Sequence, residues 1–362
     1  MNDKNIAALY VEEINKIAAK LGTIRLMEVC GTHTVAIFRA GIRQLLPKNI
    51  ELVSGPGCPV CVTADEYIDK AIAYSKMKDV IIATFGDMLK VPGSTSSLTE
   101  AQGDGAEIRI IYSPLDSIEI AKQNSTRKVI FLAVGFETTA PTAAATVLAA
   151  KTQDVNNLFM LSAQKLVPPA LRRMLLSDSE VKVDGFILPG HVAVIVGSSA
   201  FNFLATDYNI SGVVTGFEPL EILRSILRLL TMIDKGSAEV DNEYKSVVSA
   251  SGNVAAQKIL SQVYEPVDAE WRGIGSIKKS GLKMRKEFSG YDIEQVEPVR
   301  VESVAKKTAC RCGDVLRGVI NPTKCPLFGK ACVPTHAIGP CMVSVEGVCA
   351  AWYKYGGNRF CN

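Results

Sequence analysis

Short apolar runs rich in β-branched residues alternate with helical patterns through the first two thirds of the chain, and most of the runs end in a glycine-containing turn. Strands that alternate with helices form parallel βαβ units, in which helices cover both faces of the sheet. The pattern therefore predicts an α/β protein. The predicted strands are Ile24–Val29, Ile50–Val53, Val80–Thr84, Lys128–Val134, Leu158–Ser162, Gly185–Leu188 and Gly212–Thr215.

A diffuse internal repeat suggests how the chain is divided. LVSGPGC, a helix and IIATFGD resemble FILPGHV, a helix and VVTGFEP. The shared need of βα turns for glycine and a capping residue explains such a similarity equally well. We predict two similar parallel-sheet lobes, at residues 1–122 and 123–236. Beyond Gly236 charges alternate and Pro and Gly interrupt the chain, which predicts a smaller irregular domain at 237–362.

Most of the 10 cysteines lie near the end of the chain, and none lies between Cys61 and Cys310. The late cysteines are Cys310, Cys312, Cys325, Cys332, Cys341, Cys349 and Cys361. So many thiols among few apolar residues indicate a metal centre or a set of disulfides. Four thiolates complete an iron–sulfur cube, and zinc is the competing metal, although paired C-x2-C motifs are missing. If Cys310-Arg311-Cys312 is extended, its two thiols point to the same side.

Composition and charge restrict which classes of partner and which cellular compartment are expected for this protein. The net charge is only +3 and there is no long basic run, so the sequence offers no electrostatic case for nucleic acid or an anionic membrane. Charged Asp3, Glu12 and Glu13 interrupt the apolar N-terminus, which predicts an amphipathic helix rather than a signal peptide. No apolar run is long enough to cross a bilayer. We expect a cytoplasmic protein, where clustered cysteines bind metal or perform redox chemistry.

Polar and thiol side chains recur at the carboxyl ends of the predicted strands, where open parallel sheets bind ligands. The set is Cys30, His33, Cys58, Cys61, Asp87, Glu137, Thr138, Thr139, His191 and Glu218. Cys30 ends a strand just before a helix, where the helix dipole is expected to lower its pKa. A thiolate there can ligate a soft metal or act as a nucleophile. The alternative is a small buried residue in a tight turn.

Cys58-Pro59-Val60-Cys61 at a helix start is the arrangement of dithiol oxidoreductases. Glu137 is equally well explained as a buried carboxylate held by backbone donors, and His191 as a packed core residue. There is no P-loop and no dinucleotide-binding fingerprint.

Taken together, the motifs resemble the hydrogenase maturation factor family HypD. They are CGTHT, SGPGCPVCVT, FGDMLKVPGS, VGFETTAPT, LPGHV and CRCGDVL…CPLF…GPCMVSVEGVCAAWYKY, and they cover nearly the whole chain. The resemblance implies three domains, with the small chaperone HypC and the cyanide-delivering HypE as partners. It implies a task in assembling the Fe(CN)2CO unit of [NiFe]-hydrogenase.

By the same resemblance, Cys30 binds the iron together with a cysteine of HypC, and Cys58 and Cys61 form a redox-active pair in the same cleft. The late cysteines are similar to those of ferredoxin:thioredoxin reductase, which sets a [4Fe–4S] cluster beside a redox-active disulfide. This similarity implies cluster ligation by Cys310, Cys325, Cys332 and Cys349, with Cys312 and Cys341 as the adjacent redox pair. The division within 310/312 and 341/349 is open, and Cys361 receives no role.

The sequence thus predicts a scaffold and redox protein that holds iron at Cys30 and supplies it with electrons through the cluster and the dithiols. His33, Glu137 and His191 are candidates for moving protons or binding cyanide-derived groups. One alternative is an iron–sulfur thiol–disulfide oxidoreductase that acts on a protein substrate. Another is a non-catalytic adaptor whose metal only stabilises the C-terminus.

Overall fold

The computed structural model describes residues 3–177, 181–302 and 308–356. It is an α/β protein with two parallel sheets and one antiparallel hairpin, which confirms the predicted fold class. The strands are β1 (Ile24–Glu28), β2 (Ile50–Ser54), β3 (Val80–Thr84), β4 (Ile108–Ile110), β5 (Lys128–Gly135), β6 (Leu158–Gln164), β7 (Gly185–Pro189), β8 (Ser211–Thr215), β9 (Val240–Asn242), β10 (Tyr264–Trp271) and β11 (Gly275–Met284). The helices are α1 (Asp3–Ala18), α2 (Gly31–Arg39), α3 (Ile42–Leu45), α4 (Pro59–Val62), α5 (Asp65–Ser75), α6 (Leu98–Gly103), α7 (Asp116–Gln123), α8 (Ala140–Thr152), α9 (Val167–Ser177), α10 (Gly190–Val196), α11 (Phe203–Tyr208), α12 (Pro219–Asp234), α13 (Val254–Val263), α14 (Ile293–Val296), α15 (Cys312–Leu316) and α16 (Val348–Tyr355).

The two parallel sheets share one strand order. The five-stranded sheet runs β2-β1-β7-β8-β9 and the four-stranded sheet runs β4-β3-β5-β6. If the strands of each sheet are numbered as the chain reaches them, both orders begin 2-1-3-4, which is the doubly wound arrangement. Each sheet with its helices forms one lobe, here called the five-stranded lobe and the four-stranded lobe.

The chain does not complete one lobe before it starts the other. It lays down β1 and β2, builds the whole four-stranded sheet, and then returns to add β7, β8 and β9 to the first sheet. The predicted boundary between 122 and 123 therefore falls inside the four-stranded lobe, between β4 and β5. The prediction failed here because the local βα pattern is the same in both lobes and does not say which strands pair.

Apolar side chains fill both sides of each sheet. In the five-stranded lobe α1 and α12 cover one face, and Ile14, Leu26 and Ile226 are fully buried there. Burial of each such side chain contributes about 1.5–3 kcal/mol. The amphipathic N-terminal helix expected from the sequence is present as α1. No helix in the described ranges is long and apolar enough to cross a membrane.

The region after Gly236 is more regular than predicted. It adds β9 to the five-stranded sheet and forms helix α13 and the β10–β11 hairpin. The hairpin was missed because the lysines of β11 are mainly exposed while Ile277, Leu282 and Met284 of the same strand are buried. Alternating charges are equally typical of irregular chain, so the sequence alone does not reveal this hairpin. The segment from Cys310 to the end of α16 has only short helices, as expected.

Candidate functional site

The points where the two strand orders reverse face each other across one cleft. In the five-stranded lobe the reversal lies between β1 and β7, and in the four-stranded lobe between β3 and β5. Open α/β sheets bind ligands at such points. The cleft holds about 600 Å³, and the polar and thiol side chains that line it are Cys30, Thr32, Asp87, Thr138, Thr139, His191 and Glu346.

The turn that carries Cys30 depends on two glycines. Cys30 directly precedes α2, and Gly31 opens that helix. A Cβ on Gly31 would collide with the carbonyl oxygen of Glu346, and a Cβ on Gly57 would collide with that of Val29. Only glycine permits such close approach of two backbones. The Cys30 turn is therefore packed between the turn after β2 and the C-terminal segment.

The pKa of Cys30 is raised, to about 11, and not lowered as the sequence predicted. Burial is the main cause and the carboxylate of Glu346 adds to it, while hydrogen bonds from Thr32 and the His33 backbone act in the opposite direction. The residue keeps some exposed surface at the cleft. The prediction considered only the helix end and missed the carboxylate that another segment brings to the thiol.

A buried carboxylate fixes the strand that leads to Cys30. Glu28 is fully buried, accepts a hydrogen bond of 2.6 Å from the hydroxyl of Thr34, and forms an ion pair with Arg43. The Arg43 guanidinium also donates to the Leu52 carbonyl and lies 5.2 Å from the ring of Trp352 in α16. This network ties β1 and α2 to the C-terminal helix.

Two of the predicted histidines share an aromatic ring between them. The His33 ring stacks on Phe217 at 4.5 Å and the His191 ring stacks on it at 4.0 Å. His33 is buried, its Nε2 lies 3.0 Å from the Gly216 carbonyl oxygen, and its Nδ1 has no partner. Burial lowers the pKa of His33 to about 4, so the ring is neutral at pH 7 and Nδ1 carries a lone pair. His191 lines the cleft and is not the packed core residue of the alternative reading.

Glu137 lies behind the cleft. Its carboxylate is almost fully buried, and Oε1 accepts a hydrogen bond of 2.9 Å from the backbone N–H of Val167 at the start of α9. Oε2 has no hydrogen-bond partner. Burial raises the pKa of Glu137 to about 7, against the backbone donors that lower it. The buried carboxylate with a backbone donor that was considered from the sequence is present. Its donor, however, belongs to α9 and not to α8, the helix that follows Glu137 in the chain.

Cys58 and Cys61 are joined as a disulfide, with their Cα atoms 5.3 Å apart. Cys58 precedes α4 and Pro59 opens that helix, as the sequence predicted. Both cysteines are buried, and it is Pro59 and Val60 that reach the cleft. On the other side, Cys61 Sγ lies 3.9 Å from the carbonyl oxygen of Pro340. The disulfide thus separates the cleft from the late cysteines.

One small cavity is lined by all the late cysteines that the structure describes. They are Cys310, Cys312, Cys325, Cys332, Cys341 and Cys349, and the other walls include Val315, Phe328 and Met342. We call this the cysteine cavity. Cys310 and Cys312 both line it, although the segment does not have the extended form considered as one possibility from the sequence, because Cys312 opens helix α15. Cys361 lies outside the described residues.

The thiols in the cysteine cavity are crowded. A hydrogen bond with Cys312 and burial raise the pKa of Cys310, and a hydrogen bond with Cys349 and burial raise that of Cys341. Among the described residues, no three His, Cys, Asp or Glu side chains converge on one ion. Tetrahedral zinc with Zn–S of about 2.3 Å holds its sulfurs within ~4 Å of each other. An iron–sulfur cube needs four thiolates, one on each iron, and the cysteines around this small apolar-walled cavity supply that number.

The segment from Cys341 to Cys349, here called the linking loop, joins the two sites. Both ends line the cysteine cavity, whereas its middle enters the cleft. The hydroxyl of Ser344 donates to Asp87 Oδ2 at 2.8 Å in the four-stranded lobe, and Glu346 Oε1 accepts from the Thr32 hydroxyl at 2.7 Å in the five-stranded lobe.

Sequence reasoning had given no role to Ser344, Glu346 or Phe217. For Ser344 and Glu346 the sequence does offer one clue, because both are polar residues that lie between Cys341 and Cys349. Of the remaining predicted residues, Glu218 precedes α12 as its cap and does not line the cleft.

The fold and site define a class: a two-lobed α/β protein with a cleft thiol, an internal dithiol pair and a thiol-lined cavity. The family model of HypD, described as the hydrogenase formation hypA family, matches residues 5–356. The hydrogenase maturation factor HypD of Escherichia coli is 43% identical over 92% of this chain and 89% of its own length. Those of Cupriavidus necator and Rhodobacter capsulatus are 42% and 40% identical, over 91% and 99% of this chain and 89% and 97% of their own lengths. The chain belongs to the HypD family of hydrogenase maturation factors.

Proposed function

We propose that this protein is a scaffold and redox protein for assembling the Fe(CN)2CO unit of [NiFe]-hydrogenase. The observation that supports this most is the linking loop, which lines the cysteine cavity at both ends and lies against the Cys30 turn in between. The Cys30 thiol and a second sulfur site are therefore neighbours within one molecule. An iron that takes up CO must be electron-rich, so an adjoining source of electrons suits this task.

The iron unit is the cargo, and Cys30 is its anchor. Thiolate is the form that binds metal, so binding releases the Cys30 proton. Glu346 lies close enough to raise the pKa of this thiol and is a proton acceptor at hand in the cleft. Neutral His191, which belongs to the same lobe as Cys30 and also lines the cleft, offers hydrogen bonds to cyanide-derived groups. A cysteine of a HypC-type chaperone would share the iron, and a HypE-type protein would deliver cyanide.

The cleft has an exposed apolar margin on which such a partner can dock. Ile110 ends β4 and Tyr112 follows it; both line the cleft, and they are 51% and 93% exposed. Leu115 lies close by in the same loop and is 44% exposed. Large apolar side chains grouped beside a functional cleft are typical of a protein–protein contact.

The resident cofactor would be a [4Fe–4S] cluster in the cysteine cavity, held by Cys310, Cys325, Cys332 and Cys349. Bound there, it would supply single electrons at low potential. Cys312 and Cys341 would then be the nearby dithiol, and the disulfide between Cys58 and Cys61 would receive their electrons directly below the cleft. All described cysteines other than Cys58 and Cys61 are free thiols, which agrees with a cytoplasmic protein.

The test is an infrared and Mössbauer comparison of the protein, purified anaerobically with its chaperone partner, against Cys30→Ala. We expect the CN and CO bands to disappear in the variant while the cluster signal remains, which also shows that the variant is folded. Retention of the bands would remove Cys30 as the iron ligand. The oxidoreductase alternative predicts turnover of a protein disulfide by the isolated chain. The adaptor alternative predicts normal hydrogenase maturation after Cys58→Ser and Cys61→Ser.

A further inference from the structure

The β10–β11 hairpin ends in a tip, residues 272–274, that is fastened to the helix carrying the dithiol. The backbone N–H of Arg272 donates to the Val62 carbonyl at 2.9 Å, and its Nε donates to the Thr63 carbonyl at 2.7 Å. Thr63 and Trp271 also pair as an isolated antiparallel bridge. These bonds satisfy carbonyls at the C-terminal end of α4, directly after Cys61.

The opposite side of the hairpin tip touches the turn that carries Cys312. Gly273 has a φ of +74°, and a Cβ placed on it would collide with the Cα of Gly313. Conversely, a Cβ placed on Gly313 would lie only 2.9 Å from the Cα of Gly273. Two backbones approach this closely only where both residues are glycine. The hairpin tip therefore fills the space between α4 and the start of α15.

The hairpin tip is also firmly held. The Arg272 side chain is only 10% exposed and forms an ion pair of 2.8 Å with Asp65 at the start of α5. Trp271 is buried in the same apolar cluster as Cys61 and Cys341, and its indole N–H donates to the Ser280 hydroxyl at 2.8 Å. Because the hairpin tip is held on both sides, it sets the distance between α4 and the start of α15.

We propose that the hairpin tip is a positioning element that holds the Cys58–Cys61 disulfide at reacting distance from Cys312 and Cys341. This inference rests on the proposed function, because it assigns a part to the electron path within it. The Cys341 thiolate attacks Cys61 Sγ, the bond between Cys58 and Cys61 breaks, and Cys58 leaves as a thiolate that takes a proton. The Cys312 thiolate then attacks Cys341 Sγ and releases Cys61. Two electrons have moved, the 312/341 pair is oxidised and the 58/61 pair is reduced.

Sulfur-to-sulfur attack depends steeply on position, since a displacement of about 1 Å can cost on the order of 100-fold in rate. Gly273→Ala forces the hairpin tip and Gly313 apart, whereas Gly275→Ala is a matched control. Gly275 has a similar positive φ of +92° in the same hairpin, but nothing lies within 4 Å of its Cβ position. Both variants carry the same kind of backbone strain, and only one disturbs the contact.

The test uses the full chain with Cys58→Ser and Cys312→Ser, so that neither neighbouring thiol can resolve the mixed disulfide and attack at Cys61 stops there. Oxidised glutathione first caps Cys61, and the mixed disulfide of Cys61 with Cys341 is then followed over time by peptide mass spectrometry. We expect the parent and Gly275→Ala to form it at equal rates and Gly273→Ala at least ~10-fold more slowly. Near-ultraviolet circular dichroism and thermal unfolding check the fold of each variant.

Arg272→Met is the second variant, because it removes the bonds to Thr63 and Asp65 without adding a clash. It should also slow formation of the mixed disulfide. If Gly273→Ala does not fold, this variant alone tests the positioning role of the hairpin tip. Rates in Gly273→Ala and Arg272→Met equal to the parent's would overturn the role of the hairpin tip and leave the electron path intact. Absence of the mixed disulfide in the parent itself would overturn both the positioning role and the path that it serves.

Discussion

Glu137→Gln should change how the stability of the protein depends on pH. The carboxylate is 1% exposed, only Oε1 has a partner, and its pKa is about 7 against an ordinary 4.5. Because the pKa is raised in the folded state, the stabilising contribution is full below pH 4.5 and is lost as pH rises towards 7. At 1.36 kcal/mol per pH unit, the loss reaches about 3 kcal/mol above pH 7.

Glutamine is neutral at every pH and keeps an oxygen that can accept from the N–H of Val167. We therefore expect the variant and the parent to be about equally stable at pH 4.5, and the variant to be more stable by up to about 3 kcal/mol above pH 7. Urea unfolding at closely spaced pH values measures this difference directly. Contributions from other titrating groups, including His33, cancel between the two proteins.

Glu119→Gln on α7 is the matched control, because that side chain is 64% exposed. It should leave the pH dependence unchanged. If Glu137→Gln and the parent gave parallel curves of stability against pH, the carboxylate would not be held in a desolvated site, and the explanation given for its pKa would be wrong.

Three further changes address the cleft and its support. Gly31→Ala should push the linking loop away, because its Cβ collides with that loop, and alkylation of Cys30 should become several-fold faster; an unchanged rate would count against the contact. Arg43→Met leaves the Glu28 carboxylate buried and without its ion-pair partner. The free energy of unfolding, measured by denaturant titration, should fall by about 3–5 kcal/mol. A loss below about 1 kcal/mol would contradict a desolvated ion pair. Tyr112→Ser should weaken binding of the HypC-type chaperone at least ~10-fold in calorimetry, since exposed aromatic residues are frequent hot spots; its melting temperature should not change, and equal affinity would exclude this docking surface.

The strands were predictable because each is a short buried apolar run, and all seven predicted strands match observed ones within two residues at each end. Their assignment to sheets was not predictable in the same way. β1 and β7 are neighbours although the whole four-stranded lobe separates them in the chain. Local patterning carries no information on that pairing, so the domain boundary was placed inside a sheet.

The cleft was partly predictable, because the carboxyl ends of parallel strands meet at one edge. This rule brought Cys30, Asp87 and His191 together correctly. It did not distinguish residues that line the cleft from those behind it, such as Glu137. Glu346 was missed because its partner Thr32 is 314 residues away in the chain, and with it the second cause, after burial, of the raised Cys30 pKa.

The proposed function requires electrons to pass from the cysteine cavity to the disulfide below Cys30. The most direct test reduces anaerobically purified protein with a one-electron donor and counts free thiols at Cys58 and Cys61 by mass spectrometry, in the parent and in Cys341→Ser. Mössbauer spectra verify that both proteins carry the same cluster. We predict that the disulfide is reduced in the parent and stays oxidised in the variant. Reduction at the same rate in both proteins would contradict the account.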